Sequence, residues 1–312
     1  MDLSVVVPIH NEVDNLEPVQ TELGAVLDRW GRSAEVIYVD DGSSDGSFEV
    51  LRRLQSSDPR MRVVQLSRNF GQTAALAAGI AHAGGDIIVL MDGDGQNDPA
   101  EIPRLLEEIA QGNDLVAGWR LHRRDALWSR RIPSMAANWL IGVITGVSLH
   151  DYGCTLKAIR GDLARGLRLY GEMHRFIPAL AADLGARIVE IPVNHRPRLR
   201  GQSKYGLSRT VRVILDLVTV KFLSSYSTRP IHIFGLVGLI ATSVGLFIVG
   251  WLGMEKLLLG VQLATRPLLW LGILLSIMGM QFVTMGLLGE LLVRTYHESQ
   301  GKPVYRISRT IP

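Results

Sequence analysis

The stretch Ile87–Pro103, IIVLMDGDGQNDPAEIP, decides how the chain is read. An apolar run of strand type drives straight into Asp92, Asp94 and Asp98, interleaved with Gly93, Gly95 and Gln96, and a helix pattern follows. Strands of a parallel sheet end at a rim where ligands bind, so the acidic cluster is delivered to a rigid and accessible edge. Asp92 and Asp94 lie two apart, and if the chain stays extended there both carboxylates face one side, as a divalent ion on diphosphate oxygens requires. Hard oxygen ligands favour Mg2+ or Mn2+, which keep water and substrate phosphates in their shell and need one or two protein carboxylates. Gln96 can add a neutral oxygen.

Two rival readings of the stretch are testable in the sequence. A calcium loop of the EF-hand type needs Gly at the sixth position and Glu at the twelfth from Asp92, where Asn97 and Pro103 stand. A plain turn with a helix cap at Asp98 accounts for Asp98 and Pro99, but not for Asp92 and Asp94 together.

Working outward, the segments LSVVVPI, EVIYVD, MRVVQLS, DIIVLMD and DLVAG are short β-branched runs alternating with helix patterns up to about Gly118. The alternation predicts an α/β domain with a parallel sheet, helices on both faces and ligands at the carboxyl ends of the strands. Those ends carry VPIHNE (through Glu12), VDDGSSDGS (from Val39), SRNFGQ (Ser67–Gln72) and the opening stretch, with Ser47 a candidate helix cap. The first strand is followed by neither G-x-G-x-x-G nor G-x-x-x-x-G-K, which disfavours dehydrogenase and P-loop folds. Later pieces, CTLKAIR and ARIVEIPVNH, read as strands, and helices are expected over about 133–146 and 176–184. The helix-packing residues Gly71 and Gly79 and the buried-type Cys154 read as structural, and His174 and Arg175 as either structural or sugar-facing.

The chain of 312 residues is 47% hydrophobic, with the excess near its C-terminal end. Ile231–Trp251 and Pro267–Gly289 contain no Asp, Glu, Lys or Arg and are each long enough as helices to cross about 30 Å of hydrocarbon. Ala241 with Gly245, and Gly272 with Ser276, are small residues spaced four apart, suited to close helix approach. Arg209, Arg212, Lys221 and Arg229 precede the spans and Arg294, Lys302, Arg306 and Arg309 follow them, against only Lys256 and Arg266 between. This places the N-terminal domain and both termini in the cytoplasm. Met1 leads directly into a strand, so no secretory signal peptide is expected, and one cysteine permits no internal disulfide. A net charge of +3 fits contact with anionic lipid or phosphate and does not by itself indicate nucleic acid.

VPIHNE, VDDGSSDGS, SRNFGQTAALAAGI, DGDGQNDP, DYGCTLKAIR and RGQSKYG, in order and followed by two spans, resemble the family 2 glycosyltransferases of the GT-A, Rossmann-like fold. Within them the chain is similar to the dolichol-phosphate mannose synthase and undecaprenyl-phosphate glycosyltransferase group. The resemblance implies a GT-A domain over 1–206, juxtamembrane amphipathic helices over 207–230, a two-helix transmembrane hairpin over 231–293 and a cytoplasmic tail over 294–312. It implies a metal-dependent transfer of one sugar from a nucleotide-diphosphate sugar to a polyprenyl phosphate. Pro8, Glu12, Asp40, Asp41, Asn69 and Asp92 would hold the nucleotide sugar; Asp92, Asp94 and Gln96 the metal. Arg120 would contact the diphosphate; Arg130 and Ser134, with Arg200, Ser203 and Lys204, would grip the acceptor phosphate, and Asp94, Arg120, Arg130 and Ser134 would serve catalysis. His10 and Gly95 depart from the group's usual Tyr and Leu.

A lipid phosphate is already anionic, so its oxygen can attack an anomeric carbon without a strong base, in a single displacement with inversion. A processive polysaccharide synthase is the nearest enzyme alternative, but it usually carries Q-x-x-R-W and more spans, both absent here. A silent lipid-phosphate scaffold is the other class. The tail GKPVYRISRTIP alternates apolar residues and is a candidate to add a strand to a neighbouring copy in a homo-oligomer.

Overall fold

The computed structural model describes residues 1–120, 142, 146–169, 173–196, 231–260, 262, 266–299 and 305–311. The chain divides into two compact units, Met1–Leu217 with Pro303–Pro312, and Val218–Lys302.

The first unit is organised by β1 (Leu3–Ile9), β2 (Ala34–Asp40), β3 (Met61–Leu66) and β4 (Ile87–Leu90). All four run parallel, β1 between β2 and β4, with β3 beyond β2. Every residue of β2 is buried, as a strand covered on both faces requires. The covering helices are α1 (Leu16–Trp30), α2 (Ser47–Gln55), α3 (Gln72–His82) and α4 (Ile102–Ala110). α1 buries Leu16, Val19, Leu23, Val26 and Leu27 at helical spacing. It ends at Gly31, whose φ of 71° admits the left-handed cap that returns its N–H to the Leu27 carbonyl. α3 carries five alanines among its eleven residues, and a Cβ at Gly79 would run into the Val6 side chain, so this glycine does serve close helix packing. Gly71 has no such neighbour; its φ of 96° serves the turn into α3 instead.

Beyond β4 the sheet stops being parallel. The order is β7-β5-β6-β4-β1-β2-β3-β8, with β5 (Leu115–Arg120), β6 (Lys157–Arg160), β7 (Ile188–Val193) and β8 (Ile307–Ile311). β6 is inserted antiparallel between β4 and β5. The strand runs read in the sequence are all present, but the parallel order expected across β4 and β5 is interrupted by a strand that arrives later in the chain. Short helices α5 (Gly161–Gly166) and α6 (Ile177–Asp183) flank β6 and β7, and α6 matches the expected segment. The helix expected over 133–146 lies almost wholly outside the described residues, and the amphipathic segment over 207–230 entirely so.

The tail does form a strand, and in this single chain β8 pairs antiparallel with the chain's own β3, Val63 opposite Ile311 and Gln65 opposite Arg309. Ile311 packs against the core. An unpaired strand edge invites aggregation. Deleting Ile307–Ile311 is therefore expected to lower the unfolding temperature by several degrees and to produce time-dependent aggregation in detergent, followed by thermal denaturation and light scattering.

The second unit is a pair of long helices, α7 (Ile231–Leu259) and α8 (Pro267–Ser299). Phe234–Leu259 and Pro267–Gly289 are each long and apolar enough to cross a membrane. Leu239, Phe247, Leu258, Trp270 and Met280 are each more than half exposed, as side chains facing lipid are and core side chains are not. The two helices touch through small residues: a Cβ at Gly245 would lie 2.6 Å from the Gly272 carbonyl and 2.5 Å from Ser276 Oγ. Gly238 and Gly279 extend the same seam.

Candidate active site

Because β1 to β4 are parallel, their carboxyl ends open at one rim, and the loops there are laced together. After β1, Asn11 takes a φ of 57°, unusual for a residue with a Cβ. It is held there because its N–H donates to Ser43 Oγ (3.0 Å) and its Oδ1 accepts from the Ser44 N–H (2.8 Å). The Glu12 carboxylate accepts from Asn15 Nδ2 (2.6 Å). Ser47 is the first residue of α2 rather than its cap: its hydroxyl donates to Asp45 Oδ1 (2.6 Å), which also accepts the Ser47 N–H.

Asp40 and Asp41 at the tip of β2 are both buried. Asp40 accepts from the Ser43 N–H (3.0 Å) and Gln65 Nε2 (3.1 Å). Asp41 accepts from the N–H groups of Phe70 (2.7 Å) and Gly71 (2.8 Å), and burial pushes its carboxyl above the usual range. Both therefore organise the rim, tying the loop after β2 to β3 and to the loop after it. Pro8, in β1, is partly buried, and Asn69 is exposed beside Arg68, whose guanidinium lies 4.2 Å over the Phe70 ring. Asp98 caps the turn that opens α4, accepting from the Ala100 N–H (3.1 Å).

The anchoring by Asp41 has a consequence one residue on. Gln72, the first residue of α3, donates from Nε2 to Asp92 Oδ1 (2.7 Å). Asp92 and Asp94 do not sit on an extended strand: β4 ends at Leu90, the chain turns at residues 93–94, and Gly95 has a φ of 75°. The Asp94 carboxylate accepts from the Gln96 N–H (3.1 Å), and Asn97 Oδ1 from the Asp92 N–H (2.9 Å). A Cβ at Gly93 would meet the end of the Ile9 side chain, which glycine leaves room for as the turn closes on β1. The turn still brings the two carboxylates into each other's field. Burial, and then the Asp94 charge, push the Asp92 carboxyl up to about 6, against the opposing pull of the Thr155 hydroxyl, Lys157 and Arg120.

Arg120 at the end of β5 is a member of the same cluster. Its guanidinium forms a two-pronged pair with Asp151, Nε to Oδ2 at 2.5 Å and Nη2 to Oδ1 at 2.8 Å. Burial disfavours its charge, but Asp151 outweighs this and holds the pKa above its ordinary value. Asp151 is fixed in turn by its own N–H, which donates to Glu190 Oε1 on β7 (2.9 Å). Lys157 is 2% exposed, donates to the Cys154 carbonyl, and has its pKa lowered by burial although Cys154, Asp151 and Asp92 oppose this. The Cys154 thiol is pushed up to about 11 by burial, which fits packing rather than chemistry. His174 pairs with Thr73 Oγ1 (2.8 Å), and burial followed by the Arg175 and Lys157 charges drives it down to about 3, so the imidazole is neutral.

Asp92, Asp94, Gln96 and Arg120 are thus brought to one place. Arg130, Ser134, Arg200, Ser203 and Lys204 lie outside the described residues. Among the described residues no group of three or more His, Cys, Asp and Glu gathers as a closed metal cage. Two carboxylates suit a hard cation that completes its shell with water and diphosphate, while Gln96 reaches Asp94 through its N–H and turns its side-chain Nε2 to His195 and the Arg196 carbonyl. Sequence reading did not single out Gln72, Asp151, Thr155 or Lys157. The last three lie in DYGCTLKAIR, a motif without a chemical spacing of its own, and only the antiparallel insertion of β6 carries it to Asp92.

The family model for glycosyl transferase family 2 matches residues 4–168. The chain is 45% identical to a dodecaprenyl-phosphate galacturonate synthase of Rhizobium johnstonii, over 98% of this chain and 91% of that one. It is 39% identical to an undecaprenyl-phosphate 4-deoxy-4-formamido-L-arabinose transferase of Edwardsiella ictaluri, over 99% and 94%. Among solved structures, glucosyl-3-phosphoglycerate synthase of Mycobacterium tuberculosis, in complex with Mn2+, uridine diphosphate and phosphoglyceric acid, shares the fold at a TM-score of 0.56 and 22% identity, covering 70% of this chain and 78% of that one. The chain therefore belongs to glycosyl transferase family 2, within the polyprenyl-phosphate sugar transferases.

Proposed function

We propose that the protein moves one sugar from a nucleotide-diphosphate donor of the UDP- or GDP-hexose type to a polyprenyl phosphate at the cytoplasmic face of the membrane, with inversion at the anomeric carbon. The observation that carries this reading is the meeting of Asp92, Asp94 and Arg120 at the end of β4 in a chain that also has two membrane-length helices. The names of its relatives along nearly the whole chain support it.

Asp92, Asp94 and Gln96 would hold Mg2+ or Mn2+, and Mn2+ accompanies uridine diphosphate in the mycobacterial synthase of the same fold. A cation there supplies positive charge against the leaving diphosphate. Arg120, kept charged and in one orientation by Asp151, adds a fixed positive group beside it. Gln72 and Thr155 hold Asp92 in its orientation. The acceptor is anionic before it reacts, so no side chain need remove a proton from it; Arg130, Ser134, Arg200, Ser203 and Lys204 would neutralise and aim it.

Purified protein with Mg2+ or Mn2+, undecaprenyl phosphate and a panel of donor sugars is expected to yield a lipid heavier by one sugar residue in mass analysis. A ladder of products would point to a processive enzyme, and no product with any donor would count against transfer altogether. A proton competes with the cation for the Asp92 carboxylate. Because that carboxyl titrates near 6 instead of in the ordinary range, Mn2+ affinity is expected to fall up to about tenfold per pH unit below 6 and to level off above it. Paramagnetic resonance of free Mn2+ across pH 5 to 8 reads this directly.

A further inference from the structure

The turn that carries Asp92, Asp94 and Gln96 is rich in glycine. Its glycines are Gly93 and Gly95, and hydrogen bonds within it run from the Asp92 N–H to Asn97 and from the Gln96 N–H to Asp94. A loop of this kind is not fixed by its own sequence, and a ligand that must order it binds more weakly. Further ties come from far along the chain, where β7 ends. The Arg196 N–H donates to the Gln96 carbonyl (2.9 Å), and Asn97 and His195 form an isolated antiparallel bridge. Asn194 Nδ2 donates to Asp98 Oδ2 (2.8 Å), and the Asn194 N–H to Glu101 Oε1 (3.2 Å). The Arg196 guanidinium then spans two elements, reaching Asp98 Oδ1 at 2.8 Å and Glu22 Oε2 of α1 at 2.6 Å. The Gln96 side chain faces the same segment, with Nε2 3.5 Å from His195 Nε2 and from the Arg196 carbonyl.

We propose that Asn194 and Arg196 are positioning residues that clasp the turn after β4, setting Asp94 and Gln96 in their binding geometry before a divalent cation arrives. The inference rests on the metal role proposed above for that turn. Asn194 acts on the turn through Asp98, and Arg196 through Asp98 and the main chain of Gln96. Arg196 is suited to this because one planar guanidinium addresses two carboxylates at once, which a lysine ammonium does less well.

The test is Mn2+ binding to the full-length protein in detergent, without donor or acceptor, for wild type, Arg196→Ala and Asn194→Ala. It is paired with hydrogen–deuterium exchange over residues 91–98 of the metal-free protein and with thermal unfolding. Both variants are expected to unfold at close to the wild-type temperature, to bind Mn2+ about tenfold more weakly, and to exchange faster across 91–98. Arg196→Lys is expected to recover part of the affinity. Asn194 is exposed, so its variant keeps the test open if Arg196→Ala does not fold. Wild-type affinity and wild-type exchange in a folded variant overturn the clasp while leaving the metal reading intact. A wild-type protein that takes up no Mn2+ overturns the metal reading and the clasp with it.

Discussion

Asp94→Asn is expected to lower sugar transfer by roughly 1,000-fold or more, even with saturating Mg2+ or Mn2+, while the protein stays folded. Asparagine keeps the size of the side chain and an Oδ1 that can still accept the Gln96 N–H, so the turn is preserved and only the negative charge is lost. Asp94 is 8% exposed and its charge raises the Asp92 carboxyl. Removing it relieves a repulsion, so the unfolding temperature should hold or rise slightly. The Asp92 carboxyl should move back toward its ordinary range. Turnover near wild type with metal present would break the link between this turn and the chemistry.

Asp151→Ala is expected to damage stability and activity together. The Arg120 and Asp151 side chains are 14% and 5% exposed, so the pair is shielded from solvent. Removing the carboxylate leaves a buried guanidinium without its partner, at a cost of about 3–5 kcal/mol. The unpaired Arg120 would also lose its fixed aim beside Asp92, and transfer should fall by about 100-fold or more. Asp151→Asn retains one acceptor and should fall between the two. Turnover assays and thermal unfolding separate the effects, since a variant with normal stability but lost activity isolates the aim of Arg120. Wild-type values for both would remove Asp151 from the site.

The parallel core was legible because its strands announce themselves: VVVPI and VIYVD are buried on both faces, so they are continuously apolar, and each ends abruptly in polar residues at the rim. Asp92 and Asp94 stood out for the same reason, at the end of such a strand, whereas Arg120 was singled out only by the family resemblance. What the sequence hid depends on strand order. β6 reads as a short strand like any other, and nothing local says that it enters antiparallel between β4 and β5, yet that placement delivers Thr155 and Lys157 to Asp92. The carboxylate geometry was hidden differently. Alternation along an extended chain gives the right neighbours for Asp92 and Asp94 by the wrong route, because Gly93 and Gly95 allow a turn where a strand was expected. Asp40 and Asp41 read as ligand-binding groups; the structure shows their oxygens engaged by Ser43, Gln65, Phe70 and Gly71, a network that no spacing reveals.

The pairing of β8 with β3 joins two pieces of chain separated by both apolar helices. A ribosome releases Leu66 long before Ile307, so during synthesis the outer border of the sheet waits uncovered while the hydrophobic hairpin is being made. Completion of the sheet is thereby timed to follow synthesis of both apolar helices, and a message cut short between the two would leave its outer strand unpaired.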